Sequence, residues 1–520
     1  MGKDFYHGRY KRAGKRHYTI KKPEQLILKS TNLRIMNYKF LFLFLLAALF
    51  RPLYAQVKVS DNGRFLVAKD GKPFFWLGDT DWELFHRLTR EETLLFLDKR
   101  KEQGFNVIQA VALAEMDGLK TSNRYGDWPL NNEDPSQLLT TPGNDPGNAY
   151  QYDYWDHVDF VIDEAAKRGM YIGLLPTWGD KVAHLWGEGP IVFNERNAEA
   201  YARTLASRYA TRWNILWIIG GDRPATYKSS REGSEKAYDD RSVWRAMAKG
   251  IEEVLGREAF ISYHTAGGES NATSRHIHNE PWLDMNSFQS GHGARETKVW
   301  EWVTRDLAQT PPKPTLDMEP CYEDHPVNPW DGKWTRQRGY FDAYDVRARM
   351  YRGVFAGACG TTYGHHQIWQ FLNAGLYAPI NVGDTLIGWQ KALDSEAAWQ
   401  MQYLKNLMLS RPYLSRIPDQ GLIRSDAGST YVDYITATRD QEGSYALIYL
   451  PQNRPVTIST DKITGDKKKV WWFDPRTGKS TPGKELKGKK PVTLTPPETG
   501  KDWILVIDDA SRNFNPPGIL

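Results

Sequence analysis

The stretch PTLDMEP, residues 314–320, is the point from which the fold of this 520-residue chain can be inferred. Thr315–Asp317 alternates as a short buried strand does, and Pro320 must end that strand because proline offers no N–H to a sheet ladder. Glu319 therefore lies at the mouth of a strand. A carboxylate in that position indicates chemistry and not core packing.

A second stretch, WNILWIIGGDRP at residues 213–224, has the same form. A β-rich apolar run ends in an acid, Asp222, and a proline follows closely. Each acid alone has a structural alternative. Asp222 could cap a helix or pair with Arg223 in a loop, and Glu319 could belong to a structural ion pair.

Outward from these stretches, strand and helix patterns alternate along residues 57–412. Strands are predicted at Phe74–Gly78, Asn106–Leu113, Met170–Pro176, Asn214–Ile219, Ala259–Tyr263, Leu283–Phe288, Thr315–Met318 and Thr361–Tyr363. Helices are predicted at Thr89–Gly104, Tyr152–Gly169, Asn194–Ala210, Ser242–Gly256, Ala294–Gln309, Asp345–Ala358 and Ser395–Ser410. Eight strand-led units over this length favour an α/β fold of the (β/α)8 TIM-barrel class, with long loops on one face.

A doubly wound open sheet is the structural alternative to a barrel. Such a sheet commonly carries a glycine-rich phosphate loop after its first strand. Here the first strand runs into Gly78-Asp79-Thr80-Asp81-Trp82, which is acidic and has no such loop. The barrel is therefore preferred.

The pattern changes after Pro412. Short alternating runs, rich in β-branched and aromatic residues, are separated by turns without an intervening helical period. The runs are Tyr431–Arg439, Ser444–Pro451, Val456–Ser459, Lys469–Asp474 and Asp502–Asp508. Residues 415–520 are therefore predicted to form a small antiparallel β-sandwich.

The N-terminal residues resemble an export leader. Residues 36–55 contain a basic start at Lys39, an 11-residue apolar run at 40–50 and a cleavage point after Ala55. The run is too short for a membrane span, which needs about 20 residues. Met36 is the expected true start, and residues 1–35 are an upstream extension; a basic arm that binds nucleic acid or membrane is the alternative.

Charge places the basic character of the chain in this leader. The whole chain has a net charge of +5, while residues 1–35 carry +8 and residues 36–55 carry +2, which leaves −5 for the mature part. We therefore expect no nucleic-acid partner. No cysteine follows the apolar run, so no lipid or other stable membrane anchor is expected. The expected location is the periplasm or the exterior of a Gram-negative bacterium, and the oligomeric state is not predicted.

Two cysteines, Cys321 and Cys359, make neither a disulfide framework nor a metal site. They could pair only if their Cα atoms lie close together, which sequence does not show. The histidines lack the local spacing of a metal motif, and no metal or other cofactor is expected. The 20 tryptophans suit a sugar-binding cleft, although core filling explains most of them.

Residues at the carboxyl ends of barrel strands line the active face. Reading the predicted strands in order gives candidates for substrate binding at Asp79, Asp81, Trp82, Trp178, His264, Gln289 and His365. Glu115, Asp180, His292 and His366 occupy similar strand-end positions. Adjacent His365 and His366 would point to opposite sides of a strand, so at most one of them can face the cleft.

Two carboxylates facing each other across a cleft are the usual apparatus of glycosidic bond hydrolysis. One donates a proton to the leaving oxygen, and the other attacks the anomeric carbon or activates water. Strands 4 and 7 lie nearly opposite in a ring of eight, so Asp222 and Glu319 could bracket a bond.

The motif Trp76–Trp82, followed by Gly220-Gly221-Asp222 and Leu316–Pro320, resembles glycoside hydrolase family 140 over nearly all of residues 57–520. That resemblance implies a catalytic barrel with a β-sandwich, acting on the bond between apiose and the galacturonan backbone of the pectin rhamnogalacturonan II. It implies Asp222 as acid/base and Glu319 as nucleophile. The wider clan commonly has Asn-Glu where this chain has Gly221-Asp222, and a retaining mechanism is what the resemblance implies.

Other functions remain open at this stage. The same two acids would suit another furanosidase or a galactan-type hydrolase. A barrel without activity would be a carbohydrate- or matrix-binding protein, and relatives of this architecture are labelled as collagen-binding. An acidic pectic oligosaccharide needs cations in the cleft, for which the candidates are Arg124, Lys181, Arg223 and Arg295.

Overall fold

The computed structural model describes residues 57–380 and 387–520. The two leader segments predicted at 1–35 and 36–55 lie outside these ranges. Within them, none of the helices combines the length and the apolar character needed to cross a bilayer.

Eight parallel strands form the barrel in the described part of the chain. They are β1 Trp76–Thr80, β2 Val107–Val111, β3 Tyr171–Leu175, β4 Ile215–Gly220, β5 Ile261–His264, β6 Asn286–Phe288, β7 Thr315–Asp317 and β8 Gly360–Tyr363. Every residue in them is buried, as expected when a parallel sheet is covered by helices on its outer side.

The ring closes through two kinds of contact. Six strands pair in the order β5-β4-β3-β2-β1-β8, and β6 pairs with β7. A bridge between Ser262 and Met285 joins the β5 side to the β6 side, and the Cys359 N–H donates to the Thr315 carbonyl between β8 and β7. The predicted TIM barrel is confirmed.

A helix follows each strand: α1 Arg90–Glu102, α2 Tyr154–Lys167, α3 Glu195–Tyr209, α4 Arg241–Leu255, α5 Thr273–His276, α6 Val299–Leu307, α7 Ala343–Phe355 and α8 Glu396–Leu409. Thr89, Asp153, Asn194 and Asp342 each begin a helix with a reciprocal capping box. Helix α5 was not predicted, because a single turn gives no helical periodicity in the sequence.

Smaller elements decorate the barrel. Val57–Val59, Leu66–Ala68 and Pro73–Phe74 form an antiparallel sheet before β1, and Thr226–Ser229 pairs with Lys236–Asp239 in a hairpin after β4. Short α-helices lie at Leu84–Arg87, His366–Trp369 and Trp389–Ala392. Single 3-10 turns lie at Asn131–Glu133, Gly179–Lys181, Glu269–Asn271, Pro329–Asp331, Gln420–Leu422 and Ala510–Arg512.

The C-terminal strands are β9 Arg416–Pro418, β10 Thr436–Asp440, β11 Tyr445–Leu450, β12 Val456–Ile458, β13 Lys467–Phe473, β14 Ser480–Pro482, β15 Leu486–Lys487, β16 Val492–Leu494 and β17 Trp503–Asp509. β12 and β16 pair with each other, and the other seven form one antiparallel sheet. Residues such as Val456, Trp472 and Leu505 share one apolar core between the two sheets. The predicted β-sandwich is confirmed.

Buried ion pairs join the sandwich to the barrel helices. Arg347 on α7 donates two hydrogen bonds to Asp502, at 3.0 and 2.8 Å. Arg411, just after α8, holds Asp508 in the same way, at 2.9 and 2.8 Å. Both pairs are almost fully buried. Removal of one member of either pair would leave a buried charge without a partner and should therefore destabilise the contact between the two parts.

Candidate active site

A cavity of about 860 Å³ opens at the carboxyl ends of the barrel strands. Asp222 follows β4 and Glu319 follows β7, and both side chains line this cavity. The structure therefore brings together the two carboxylates that the sequence placed at the ends of different strands. Pro320 ends the run after Glu319, as the missing N–H of proline requires.

Two histidines hold the Glu319 carboxylate. His292 Nε2 lies 3.1 Å from Oε1 in a well-directed hydrogen bond. His264 Nε2 lies 3.1 Å from Oε2, at a less favourable angle. All three side chains are more than nine-tenths buried. Each oxygen of the carboxylate thus has one histidine nitrogen 3.1 Å away, at the floor of the cavity.

Backbone contacts determine which histidine nitrogens carry protons. The Asp222 N–H donates to His264 Nδ1 at 3.0 Å, and the Tyr322 N–H donates to His292 Nδ1 at 3.2 Å. Because Nδ1 accepts in both rings, a neutral imidazole must carry its proton on Nε2. Both histidines therefore present an N–H to Glu319.

The pKa of Glu319 follows from these contacts. Burial alone would raise the pKa, but the two histidines outweigh it and lower the pKa of Glu319 to about 2. Glu319 is consequently ionised throughout the physiological range. An ionised, buried carboxylate facing a cavity has the properties of a nucleophile.

A strained backbone presents Asp222 to the cavity. Gly220, Gly221 and Asp222 all have positive φ angles, of 96°, 116° and 51°. A Cβ at residue 221 would lie 2.7 Å from the Gly179 nitrogen and 2.9 Å from the Trp178 Cα, so only glycine fits there. Left-handed backbone at a non-glycine residue is costly and is concentrated at functional sites.

Asp222 has the properties of an acid. Its Oδ2 accepts hydrogen bonds from Trp186 Nε1 at 3.0 Å and from Arg223 Nη1 at 2.9 Å. Burial raises the pKa of Asp222, and the negative charge of Glu319 adds to that rise although Arg223 opposes it. One carboxyl with a lowered pKa and one with a raised pKa divide the roles of nucleophile and acid between them.

Aromatic rings form one wall of the cavity. The centroids of Trp82 and Trp178 lie 5.1 Å apart, and each ring contacts His264. Trp178 Nε1 and Gln289 Oε1 are buried at the cavity and have no hydrogen-bond partner among residues 57–380 and 387–520. Both atoms are closed to solvent in this structure, so a sugar hydroxyl can contact them only after these side chains move.

Comparison with known proteins identifies the family. The family model "Apiosidase-like, catalytic domain" matches residues 60–415, which include the whole barrel. The chain belongs to the apiosidase-like family of glycoside hydrolases. The resemblance to glycoside hydrolase family 140 is thereby confirmed, and the protein is an enzyme that acts on carbohydrate.

Solved structures agree with this assignment. A protein described as a glycoside hydrolase is 33% identical, with a TM-score of 0.77, over 89% of this chain and 98% of its own. A glycoside hydrolase family 5 protein from Bacteroides vulgatus is 32% identical, also with a TM-score of 0.77, over 89% and 97% of the two chains.

The C-terminal part of the hydrolase matches a second family model. Residues 417–508, most of the sandwich, match "Putative collagen-binding domain of a collagenase". A search of the curated proteins found no match to this chain.

Several predicted residues lie outside the cavity lining of the hydrolase. Asp79 is fully buried and pairs with Arg100 of α1, and Asp81 is buried beside Asp79. His365 caps a short helix by accepting from the Gln367 N–H, and its Nε2 shares a hydrogen bond with Ser395. Internal partners occupy Asp79 and His365. The carboxyl oxygens of Asp81 have no hydrogen-bond partner in the described chain, but they are buried outside the cavity lining. None of the three positions supports direct substrate contact.

His264 has an indirect position. It is fully buried and lies behind the cavity wall, with one nitrogen on the Asp222 backbone and the other on the Glu319 carboxylate. His264 therefore connects the backbone of Asp222 to the side chain of Glu319. Its position suits orienting the two acids and not the predicted contact with sugar.

The predicted cations also lie away from the cavity lining. Lys181 is buried against Asp180, Arg223 is buried against Asp222, and Arg295 contacts Asp345. Arg124 is exposed in its loop. Within the described ranges, no lysine or arginine side chain lines the cavity, whereas Glu115, Asp222 and Glu319 do.

Sequence reasoning missed residues that reach the cavity from long loops. Trp186 and Trp330 are about half exposed, at 50% and 56%, and Tyr322 and His325 lie beneath them. Glu115 appeared only as a strand-end residue, but burial raises its pKa to about 8. The signal for the tryptophans was weak, since each is a single aromatic residue next to Gly187 or Pro329.

No group of three or more His, Cys, Asp or Glu side chains in the described chain is arranged to hold a metal ion. Cys321 and Cys359 are both buried and free.

Proposed function

We propose that the hydrolase is exported and cleaves the bond between apiose and galacturonic acid in rhamnogalacturonan II, with retention of configuration. The observation that carries this proposal is the Glu319 carboxylate, hydrogen-bonded to His292 and approached by His264 at 3.1 Å, in the cavity that also contains the Asp222 carboxyl. The match to the apiosidase-like family supports the substrate, and the leader-like residues 36–55 support export.

The first step transfers the glycosyl group to the enzyme. The Glu319 carboxylate attacks the anomeric carbon while the Asp222 carboxyl donates its proton to the glycosidic oxygen. The bond between the anomeric carbon and that oxygen breaks, and galacturonan leaves as an alcohol. The product is a glycosyl ester on Glu319.

The second step reverses the roles at Asp222. Forming the ester removes the negative charge of Glu319, which had raised the pKa of Asp222. Asp222 is then a carboxylate and takes a proton from water as that water attacks the anomeric carbon. The ester bond breaks, free apiose leaves, and Glu319 is ionised again.

The cavity suits a neutral sugar as the glycone. Its acidic side chains are Glu115, Asp222 and Glu319. Arg223 pairs with Asp222 and His292 with Glu319, but no described lysine or arginine side chain lines the cavity. The carboxylate of the galacturonate leaving group is therefore expected to point toward solvent. The side chains of Trp178 and Gln289 line the cavity and form part of the surface that apiose would contact.

Trp186 is placed to receive the leaving group. One face of its ring stacks on the Arg223 guanidinium, 4.2 Å from the ring centroid, while half of the side chain remains exposed. Arg223 donates to the Trp186 carbonyl, and Arg231 donates to the carbonyls of Leu185 and Gly187. The clamped ring can stack a sugar on its open face beside the acid.

Replacing Trp186 separates its two roles. Trp186→Phe keeps an aromatic ring for stacking but loses the N–H that Trp186 donates to Asp222. Because that hydrogen bond favours the ionised carboxylate, the pKa of Asp222 should rise in this variant. The alkaline limb of the kcat/KM profile should therefore move to higher pH. Trp186→Ala should also raise KM about tenfold for substrates with a sugar leaving group. pH–rate profiles of both variants measure this, and unchanged profiles would contradict the role.

The pH dependence of the native enzyme follows from the two acids. Because the pKa of Glu319 is about 2, kcat/KM should hold below the ordinary glutamate value of 4.5 while the protein stays folded. Activity should fall on the alkaline side as Asp222 loses its proton, at a pH above the ordinary 3.8. Initial rates against pH measure both limbs; an acid limb near 4.5 would contradict the assignment of Glu319.

The substrate is tested with residues 57–520 and rhamnogalacturonan II fragments whose apiose-linked side chains have been trimmed. Release of free apiose supports the proposal. Release of another sugar from pectin fractions or galactan would instead identify a different furanosidase or galactan-type hydrolase. Binding without any release would identify a carbohydrate-binding protein.

A further inference from the structure

One edge of the β-sandwich is strongly basic. Residues 466–490 contain nine Lys or Arg against three Asp or Glu, a net charge of +6, although residues 56–520 as a whole carry −5. Six lysines in this segment are exposed, and five of them lie on β13, on β15 and in the turns beside β15, while Lys479 lies between β13 and β14. We call these five the lysine edge: Lys467, Lys484, Lys487, Lys489 and Lys490.

The strand register places two of these charges together. In the antiparallel pair of β13 and β15, Lys467 lies directly opposite Lys487, and Lys468 lies opposite Leu486. Like charges directly opposite each other destabilise a sheet. This pairing is therefore an unfavourable arrangement in the free protein, and a bound anion would relieve it.

A buried lysine organises the turn that carries the other charges. Lys468 points inward and donates from Nζ to the Gly465 carbonyl at 2.7 Å and the Gly488 carbonyl at 3.0 Å. The Lys490 carbonyl in turn accepts from the Thr460 hydroxyl at 3.1 Å. These contacts hold the turn between Lys487 and Lys490 in place, so its charges form a defined array.

The five lysines of this array form no ion pair with a neighbouring carboxylate in the described chain. The ion pairs of the sandwich use other basic residues, such as Arg439, Lys462 and Arg476. Within 4.0 Å of the five Nζ atoms, the structure as described from 57 to 380 and from 387 to 520 has no carboxylate oxygen. The edge therefore projects a positive potential from a protein that is otherwise negative.

We propose that the lysine edge binds the carboxylates of an anionic polysaccharide of the polyuronate class, at a site separate from the catalytic cavity. A polyuronate presents one carboxylate on each sugar, which suits several ammonium groups spread along two strands. The aromatic residues of 466–490 are Trp471–Phe473 on β13, of which Trp472 and Phe473 are buried and Trp471 is half-buried. Leu486 is half-buried as well, so the edge lacks the exposed aromatic and apolar side chains that stack on bases or enter a bilayer.

Such a site would retain the enzyme on an acidic polymer while the barrel acts on a neutral branch. It is independent of the sugar proposed for the cavity, because it depends only on the charges of the sandwich. It assigns a function to the sandwich that the cavity does not require.

Binding of residues 57–520 to de-esterified polygalacturonate tests this proposal. The measurement is made in the Glu319→Gln background, so that the polymer is not cut, over a series of salt concentrations. Affinity should fall steeply with salt and should be weak for the fully methyl-esterified polymer. Lys467→Glu with Lys487→Glu should lower affinity at least about tenfold.

Two further variants keep the test decisive. The control variant Lys58→Glu with Lys69→Glu changes the net charge by the same amount as the Lys467→Glu, Lys487→Glu variant. Both replaced lysines are exposed and lie far from the lysine edge in the sequence, so this variant should leave affinity unchanged. Lys467→Gln with Lys487→Gln should lower affinity less while raising the melting temperature, since the like-charge pair is gone. The proposal would be overturned if the native protein and the Lys467→Glu, Lys487→Glu variant bound polygalacturonate equally well. It would also be overturned if the native protein bound duplex DNA or anionic vesicles more tightly than polygalacturonate.

Discussion

Replacing Glu319 with glutamine is expected to lower kcat/KM by about 10⁴-fold or more, because the amide cannot form the glycosyl ester. The amide of the Glu319→Gln variant would still offer a carbonyl oxygen to His264 or His292, so the fold should survive. The loss should be similar for natural and activated substrates, since attack on the anomeric carbon is needed for both. Rates on trimmed rhamnogalacturonan II fragments and on an aryl glycoside measure it.

Glu323→Gln is the matched control for that variant. Glu323 is a buried glutamate four residues further on, which accepts from the Tyr363 hydroxyl at 2.7 Å and from the Ala397 N–H. It does not line the cavity. Its replacement should lower the melting temperature and leave kcat nearly unchanged. A Glu319→Gln enzyme as active as the Glu323→Gln enzyme would contradict the assigned nucleophile.

Replacing Asp222 with asparagine should produce a loss that depends on the leaving group. For a sugar leaving group, which needs a proton, kcat/KM should fall by about 10²- to 10⁴-fold. For an aryl glycoside with an acidic leaving group, the first step should be nearly unaffected and the ester should accumulate. Azide, which needs no general base, should restore turnover and give a glycosyl azide. The alkaline limb of the pH profile should disappear.

Asp324→Asn is the control for replacing an aspartate whose backbone has a left-handed φ, as that of Asp222 does. Asp324 also has a left-handed φ, of 62°, but lies outside the cavity lining. Its replacement should therefore leave both substrates unaffected. An equal loss on both substrates in Asp222→Asn, without azide rescue, would show that Asp222 is structural.

The barrel could be predicted because its determinants are local. Buried strands and capped helices leave periodic and capping signals, and the helix predicted from Thr89 does begin there, with Thr89 in a capping box. Strand-end position likewise located Asp222 and Glu319. The single-turn helix α5 and the hairpin after β4 were missed because they are short or exposed and carry no apolar period.

The roles of the remaining site residues depend on distant partners. Asp79 lies near the end of β1, much as Glu319 lies just past the end of β7. Arg100 on α1, however, approaches Asp79 from outside the barrel and pairs with it. His264 could not be separated from a sugar ligand until its two nitrogens were placed on Asp222 and Glu319. Trp186 depends on clamps from Arg223 and Arg231, 37 and 45 residues further along the chain, which no local pattern reveals.

The most direct test of the account is mass spectrometry of the Asp222→Asn enzyme after brief incubation with an activated apioside and proteolysis. The account predicts that the peptide containing Glu319 gains the mass of one sugar residue, and that Glu319→Gln in the same background abolishes the label. A burst of leaving group without any labelled peptide, or a label on another residue such as Glu115, would contradict Glu319 as the nucleophile.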